Sequence, residues 1–284
     1  MHISIFVYGT WGDIRPHVVL AVELQKMGHK VQVIASSVYE KWVRERNLGF
    51  YPLTTDVNII TKENVSAMDM GIIGQLKVVK NVLKPAFVQM GLEVLEATRE
   101  SDVVITVEFG LGLLFDILKV NNLRAILINP APLNPSTEVA FLAMPTAQRG
   151  FPFRKLYNRF TYNMIQRLQW SVMGGARNEI ATKHLGLSKS KIGDFQVLLA
   201  HSPALTTVSK HVFQRPSDWS ELYQVTGYLF DDDSAWTPPQ DLSDFLASGE
   251  APVYIGFGSM PDSTPQKTTQ TIIEAVQRAG KRAV

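Results

Sequence analysis

The sequence has no cysteine among its 284 residues. Disulfide bonds, thiolate zinc sites and cysteine nucleophiles are therefore excluded. The six histidines form no H-x-x-H or H-x-x-x-H pair, so we predict no metal site. Lys and Arg number 28 against 26 for Asp and Glu, a formal net charge of +2. This balance argues against nucleic acid as the main partner, because phosphate binding usually brings a large basic excess.

Long apolar runs are also missing. No run approaches the roughly 18 residues of a membrane span, and the N-terminus lacks the basic region of a signal peptide. The expected location is therefore cytoplasmic. With 45% hydrophobic residues over 284 positions, the chain can bury a sizeable core, and its length favours about two domains.

Strands and helices are predicted to alternate along most of the chain. Residues 2–8 are typical of a buried parallel strand, 16–27 of a helix that starts near Pro16, and 30–36 of a second strand. This order predicts an α/β fold, a Rossmann-like parallel sheet with helices on both faces. Further strands are predicted over 102–107, 124–130, 203–209 and 223–228, and helical spacing over 72–99 with a break before Pro85.

The composition divides the chain into three parts. Residues 1–230 form the first predicted domain, and 231–252 form an acidic, proline-bearing linker with a short helix. Residues 253–284 begin a second Rossmann-like domain, with a strand over 253–259 and a helix over 264–280. Because one strand and one helix cannot cover both faces of a sheet, we expect this second domain to be truncated in the chain.

The loop after the first strand, GTWGDIRP at 9–16, is the first candidate site. Open α/β sheets bind ligands at the carboxyl ends of their strands. Gly9 and Gly12 permit tight turning and a close approach by a ligand. Asp13 has two interpretations that can both hold: a cap of the following helix, or a carboxylate that takes a proton from an incoming hydroxyl.

Three common nucleotide or hydrolase motifs are missing. Trp11 and Ile14 stand where a G-x-G-x-x-G fingerprint needs glycine, and the second strand lacks a terminal acidic residue. The chain has no G-x-x-x-x-G-K-[ST] loop, and GFGSM at 256–260 is not a G-x-S-x-G elbow. The sequence therefore contains no motif that indicates hydride transfer, phosphoryl transfer or serine hydrolysis.

Two segments resemble a known family. The opening GTWGDIRP is similar to the start of GT-B glycosyltransferases of the sterol glucosyltransferase and antibiotic glycosyltransferase type. The segment RPSDWSELYQVTGYLFDDDSAWTPPQDLSDFLASGEAPVYIGFGSM at 215–260 resembles the sterol glucosyltransferase pattern closely. The resemblance runs over the whole chain and is weakest around 55–100.

The resemblance implies two Rossmann-like domains. The N-terminal domain holds the acceptor, the C-terminal domain holds a UDP-hexose as substrate, and the sugar is transferred with inversion. It implies that Asp13 is the base and that Gly9, Thr10 and Gly12 face the donor. Gly258 and Ser259 would contact the donor diphosphate; their other interpretation is an ordinary glycine-rich turn.

Two further residues are candidates for supporting the base. His17 lies one helical turn after Asp13 and could bond its carboxylate; a partly exposed histidine of the first turn is the plainer alternative. Glu108 follows the strand at 102–107, near a position where related enzymes carry an acidic residue.

The family's His- and Gly-rich donor motif and its acidic-Gln element are missing from the sequence. We therefore expect little transferase activity from the chain alone, and a partner domain or chain that completes the donor site. The alternative is a non-catalytic module that binds a hydrophobic ligand.

The segment 139–178 has six Lys or Arg and no Asp or Glu, with seven aromatic residues. It indicates either a surface that contacts anionic lipid, chiefly through 149–170, or an ordinary amphipathic helix. The Pro-rich stretch 128–145 is predicted to line the acceptor pocket through Pro130, Pro132, Phe141 and Met144.

Overall fold

The computed structural model describes residues 1–55, 79–142, 144–148, 150–231, 236–258 and 264–284. The chain divides into two compact units, Met1–Asp231 and Asp232–Val284. Each unit is described by itself below.

The first unit is built on a seven-stranded parallel sheet, which confirms the predicted α/β fold. The strand order is β3-β2-β1-β4-β5-β6-β7. The strands are β1 (His2–Phe6), β2 (Lys30–Ser36), β3 (Gly49–Leu53), β4 (Val103–Thr106), β5 (Arg124–Asn129), β6 (Ala204–Thr206) and β7 (Tyr223–Val225).

Helices cover both faces of this sheet. Side chains alternate along each strand, so Ile3 and Ile5 of β1 enter one core while Phe6 enters the other. Parallel strands buried on both faces read as nearly continuous apolar runs, and for this reason the sequence located β1, β2, β4 and β5 within a few residues. The helices of this unit are α1 (Trp11–Lys26), α2 (Glu40–Arg44), α3 (Lys84–Ala97), α4 (Glu108–Val120), α5 (Arg154–Glu179) and α6 (Ile192–His201).

Two predicted helix boundaries are wrong. Helix α1 begins at Trp11 and not near Pro16, because a capping box at Thr10 and Asp13 starts the helix earlier. Pro85 does not break its helix: it lies in the first turn of α3, which continues directly from a π-helical turn at Val79–Leu83. Residues 72–78 of the predicted helix lie outside the described residues.

Helix α4 is buried between the sheet and helices α5 and α6. It carries Asp116, whose carboxylate accepts a hydrogen bond from Arg177 Nε of α5 at 3.0 Å. Both side chains are almost fully buried, and the guanidinium stacks 3.8 Å from the Phe115 ring centroid. Arg177 is one of the six basic residues that make 139–178 a predicted surface segment, but the structure places it in the core.

We expect Asp116→Ala to destabilise the first unit by about 3–5 kcal/mol, because it leaves the Arg177 charge buried without a partner. The double variant Asp116→Leu/Arg177→Met removes both charges and should recover most of that loss. Urea unfolding of the three proteins measures the difference. A double variant as unstable as the single one would contradict this account of the ion pair.

The second unit contains α7 (Gln240–Ala247) and α8 (Pro265–Ala279). The predicted strand at 253–259 is reduced to a single parallel bridge between Val253 and Ala283. Two hydrogen bonds make this bridge, from Val253 N to Arg282 O and from Val284 N to Val253 O, at 2.9 and 3.0 Å, and a third from Ile255 N to Val284 O at 2.9 Å extends it. No helix among the described residues of the chain is both long and apolar enough to cross a membrane.

Candidate functional site at the carboxyl end of β1 and β4

The chain reverses direction across the sheet between β1 and β4. From β1 the order runs outward through β2 and β3, and from β4 it runs the other way. Helix α1 packs on one face and α4 on the other. In open α/β sheets such a reversal leaves a crevice where both strands end, and ligands bind there. Asp13 follows β1 and Glu108 follows β4, so the topology brings both carboxyl groups to the same edge.

Asp13 occupies the third position of α1, and Thr10 is the N-cap. The Asp13 carboxylate accepts a hydrogen bond from the Thr10 backbone N–H at 2.8 Å through Oδ2. The other oxygen, Oδ1, has no hydrogen bond within the described part of the chain. Asp13 therefore helps to cap the helix, as predicted, although as the N3 residue and not as the N-cap itself. Its half-buried carboxylate keeps one oxygen available to a ligand.

Gly9 leaves the space that the Asp13 side chain fills. A Cβ added at Gly9 would lie 2.5 Å from Asp13 Cγ and 2.8 Å from its Cβ. The carboxylate can lie over the backbone of the loop only because residue 9 has no side chain. Gly12, the second residue of the helix, has nothing within 4 Å of such a Cβ.

The two glycines give a matched pair of variants. We expect Gly9→Ala to cost about 1–2 kcal/mol of unfolding free energy, because Asp13 must turn away and lose the hydrogen bond that it accepts from the Thr10 N–H. Gly12→Ala should be neutral or stabilising by a few tenths of a kcal/mol, about the size of the helix propensity difference at a helix end. Thermal and urea unfolding compare the two. Equal effects would mean that the Gly9 contact does not position Asp13.

A cluster of three aromatic side chains packs beside the loop that carries Asp13. The Trp11 ring meets Tyr39 and Trp42 edge to face, with centroids 5.0 Å apart in both pairs. The Tyr39 hydroxyl donates to the Gly9 carbonyl at 3.2 Å. Arg46 stacks on Trp42, with its Cζ 4.2 Å from the ring centroid. Trp11 remains 52% exposed, so its indole offers an apolar surface at the mouth of the crevice.

His17 is buried, in contrast to the plainer prediction of a partly exposed side chain. Its Nδ1 donates to the backbone carbonyl of Asp13 at 2.6 Å, and not to the Asp13 carboxylate. Burial lowers the pKa of the imidazole, although the carbonyl and the charge of Asp13 act in the opposite direction. A neutral His17 therefore supports the first turn of α1 through the main chain.

Glu108 opens α4 and is 1% exposed. Its backbone N–H donates to Asn129 Oδ1 at 3.2 Å. Burial raises the pKa of its carboxyl to about 8. The group is therefore mostly protonated at neutral pH and can donate a hydrogen bond. No hydrogen bond joins Glu108 to Asp13 among the described residues.

Polar groups that the sequence analysis missed surround Glu108. The Asn129 amide donates to Asn134 Oδ1 at 3.4 Å, and burial together with the charge of Glu108 raises the pKa of the Tyr162 hydroxyl. Within this group, three buried atoms have no hydrogen-bond partner among the described residues: Glu108 Oε2, Asn134 Nδ2 and the Tyr162 hydroxyl. Such atoms normally bind ordered water or a polar atom of a ligand. The only sequence signal was the pair of asparagines in an apolar stretch.

The four predicted acceptor residues are spread along one loop. Pro130 is exposed, and Pro132, Phe141 and Met144 are half-buried. The Phe141 ring meets Tyr162 edge to face at 5.7 Å between centroids, and its N–H donates to Thr161 Oγ1 at 2.9 Å. A cleft of about 570 Å³ begins just after Met144 and is lined by Pro145, Thr146, Ala147, Gln148, Gly150, Phe151 and Tyr157. None of the four predicted residues lines this cleft.

The remaining predicted donor contacts lie in the second unit. Gly258 has φ 63°, a left-handed conformation that favours glycine. Ser259 lies outside the described residues. Within the described ranges, no group of three or more His, Asp or Glu side chains could hold a metal ion.

The chain is similar in sequence to known proteins. Residues 3–105 match the glycosyltransferase family 28 N-terminal domain. The chain is 28% identical to sterol 3-beta-glucosyltransferase UGT80A2 of Arabidopsis thaliana, over all of this chain and 45% of that protein. It is 30% identical to a sterol 3-beta-glucosyltransferase of Cryptococcus neoformans, over all of this chain and 18% of that protein. The chain thus spans less than half the length of these two relatives.

Solved structures share the fold. The glycotransferase of kitacinnamycin aligns with a TM-score of 0.59 and 17% identity, over 97% of this chain and 63% of that one. Arabidopsis thaliana UGT89C1 complexed with quercetin aligns with a TM-score of 0.58 and 13% identity, over 99% of this chain and 64% of that one.

The sheet and its crevice therefore define the Rossmann-like fold of GT-B glycosyltransferases. Residues 3–105 match the glycosyltransferase family 28 N-terminal domain, and the chain as a whole is similar in sequence to sterol 3-beta-glucosyltransferases. The predicted resemblance is confirmed.

Proposed function

We propose that this chain is the acceptor-binding half of an inverting, UDP-dependent glycosyltransferase. The enzyme transfers a hexose from a UDP-sugar to a hydroxyl of a sterol-like or natural-product acceptor. The observation that carries the proposal is the Asp13 carboxylate, held over Gly9 by the Thr10 N–H at the carboxyl end of β1. The homology to sterol 3-beta-glucosyltransferases supports the same reaction class.

The proposed chemistry is a single displacement. Asp13 accepts the proton of the acceptor hydroxyl while that oxygen attacks the anomeric carbon of the sugar. The bond from the anomeric carbon to the diphosphate breaks, and UDP leaves with the electron pair. The backbone at Gly9, Thr10 and Gly12, at the positive end of the α1 dipole, is suited to stabilise charge on the donor.

The neighbouring polar groups fit supporting roles. His17 fixes the main chain of Asp13 through its Nδ1–H. Glu108, in its protonated form, supplies a hydrogen-bond donor on the β4 side of the crevice and not a negative charge. On the donor side, Gly258 and Ser259 belong to the proposed diphosphate contacts, with a partner domain or chain that supplies the remaining ones. A cytoplasmic location remains a prediction.

A second candidate function is a non-catalytic module that binds a hydrophobic ligand. The 570 Å³ cleft favours it, since every residue of its lining belongs to the first unit. Such a cleft needs no donor site to bind a hydrophobic alcohol.

Two measurements separate the candidates. Calorimetric titration of the 284-residue chain with a solubilised sterol and with UDP-glucose tests acceptor and donor binding separately. A glucosylation assay then uses a protein that joins this chain to the C-terminal part of the Arabidopsis relative. Sterol binding with glucosylation supports the transferase half. Sterol binding without glucosylation supports the binding module, and loss of both contradicts both candidates.

A further inference from the structure

Helix α5 has apolar side chains on two opposite faces. One face is buried in the core through residues such as Tyr162 and Met173. A helix packed against a core usually places charged or polar residues on the other face. Here the outer face carries a line of exposed apolar side chains at spacings of three and four residues, which places them along one side: Phe153, Leu156, Phe160, Met164 and Leu168, with 64, 69, 57, 37 and 61% of each residue exposed.

This line is long and continuous. From residue 153 to residue 168 it extends about 22 Å at 1.5 Å per residue. Phe151, which is 47% exposed, extends it beyond the start of the helix, and its ring lies 6.3 Å from that of Phe153. Exposed apolar residues scattered singly are ordinary, whereas a contiguous line of this length marks an interaction surface.

The charge beside the line has one sign. Lys155, Arg159 and Arg167 are exposed on the same helix, and the sequence has no Asp or Glu from 139 to 178. Arg149 lies outside the described residues, and the other two basic residues of 139–178 are engaged within the fold. Arg177 is buried against Asp116, and Arg154 donates to the Glu138 carbonyl at 3.0 Å.

We propose that this surface, the lipid face (Phe151, Phe153, Leu156, Phe160, Met164 and Leu168, with Arg159 and Arg167), docks on an anionic bilayer. Helix α5 would lie in the plane of the interface, with its apolar line among the acyl chains and its cations at the headgroups. Charge selects the bilayer over a second copy of the chain. A two-fold contact through the lipid face would set the same cations against one another and desolvate them.

The cleft described above opens beside the lipid face. Phe151 belongs to both, and Tyr157 lines the cleft from the first turns of α5. On a docked molecule an alcohol dissolved in the bilayer would reach the cleft without crossing water. This step alone rests on the proposed function; the docking itself does not.

Vesicle sedimentation tests the docking without donor or acceptor. The 284-residue chain is mixed with vesicles of phosphatidylcholine alone, or with about one third phosphatidylserine. We expect binding to the anionic vesicles that weakens with salt. Leu156→Gln/Phe160→Gln should lose at least about tenfold in partition coefficient, because two large apolar side chains no longer enter the bilayer. Arg159→Gln/Arg167→Gln should lose about tenfold on anionic vesicles only.

Matched controls change the same residue types elsewhere on the surface. Val212→Gln removes an apolar side chain that is 72% exposed, and Lys41→Gln removes an exposed cation; both should bind as the unsubstituted chain does. Circular dichroism checks that each variant is folded. Equal binding by the control and lipid-face variants would overturn the proposal. So would a dimer in light scattering that Leu156→Gln/Phe160→Gln dissociates, without vesicle binding, since the face would then join two copies.

Discussion

The unfolding free energy of the first unit is expected to fall by about 2 kcal/mol between pH 6.5 and pH 8.5, through Glu108 alone. Burial raises the pKa of this carboxyl from 4.5 to about 8 in the folded protein. Between those two values the folded state holds a proton that the unfolded state has released, so stability decreases as pH rises. Below about 4.5 both states are protonated, and above about 8 both are ionised.

The chosen window avoids an opposing effect of His17. Burial lowers the pKa of His17 below its ordinary value of 6.5, so the unfolded state binds more protons below that pH. The contribution of His17 to the unfolding free energy therefore rises with pH and reaches most of its final value near the pKa of histidine in the unfolded chain. Of His17 and Glu108, only Glu108 therefore lowers the unfolding free energy as the pH rises above 6.5.

Glu108→Gln keeps the shape of the side chain and removes its titration. We expect the unfolding free energy of this variant not to fall between pH 6.5 and pH 8.5. Relative to that of the unsubstituted chain, it should therefore rise by about 2 kcal/mol over this pH range. Urea unfolding at several pH values measures it. Glu221→Gln, which changes an exposed carboxyl, should keep the original slope. A Glu108→Gln variant with that same slope would show that the carboxyl is already ionised in the folded state.

Asp13→Asn should lower the glycosyl transfer rate by about 10²–10⁴-fold, the usual contribution of a positioned base. The amide keeps an oxygen that can accept the Thr10 N–H, so the start of α1 and the fold should be retained. An amide cannot take the proton of the acceptor hydroxyl. The assay is glucosylation by the protein that joins this chain to the C-terminal part of the plant relative.

The matched control for Asp13→Asn lies on the same helix. Glu23→Gln changes an exposed carboxylate in the last turns of α1 and should leave the rate unchanged. The pH profile separates a base from a structural residue, because loss of a base removes the acidic limb of the rate. Undiminished transfer by Asp13→Asn would exclude Asp13 as the base and leave the rest of the proposed function standing.

The sequence by itself determined the sheet and the opening loop. Apolar runs such as 30–36 and 102–107 predict buried parallel strands, because both faces of each strand are covered by helices. The spacing of GTWGDIRP placed Asp13 at the carboxyl end of β1, and the resemblance at 215–260 pointed to the family. These signals are local, because each depends only on the residues of a short stretch. They can therefore be recognised without knowledge of the tertiary contacts.

Only the tertiary structure determined which charged side chains are buried and which are exposed. Six basic residues in 139–178 looked alike in the sequence, yet Arg177 lies in the core because Asp116 of α4 packs against it. Glu108 and His17 are buried for the same kind of reason, since neighbouring helices and strands, distant in sequence, exclude water from them. The exposed line on α5 also required the structure, because apolar spacing alone does not tell which face of a helix meets the core. Burial, and with it pKa and binding, depends on non-local contacts that no short stretch of sequence contains.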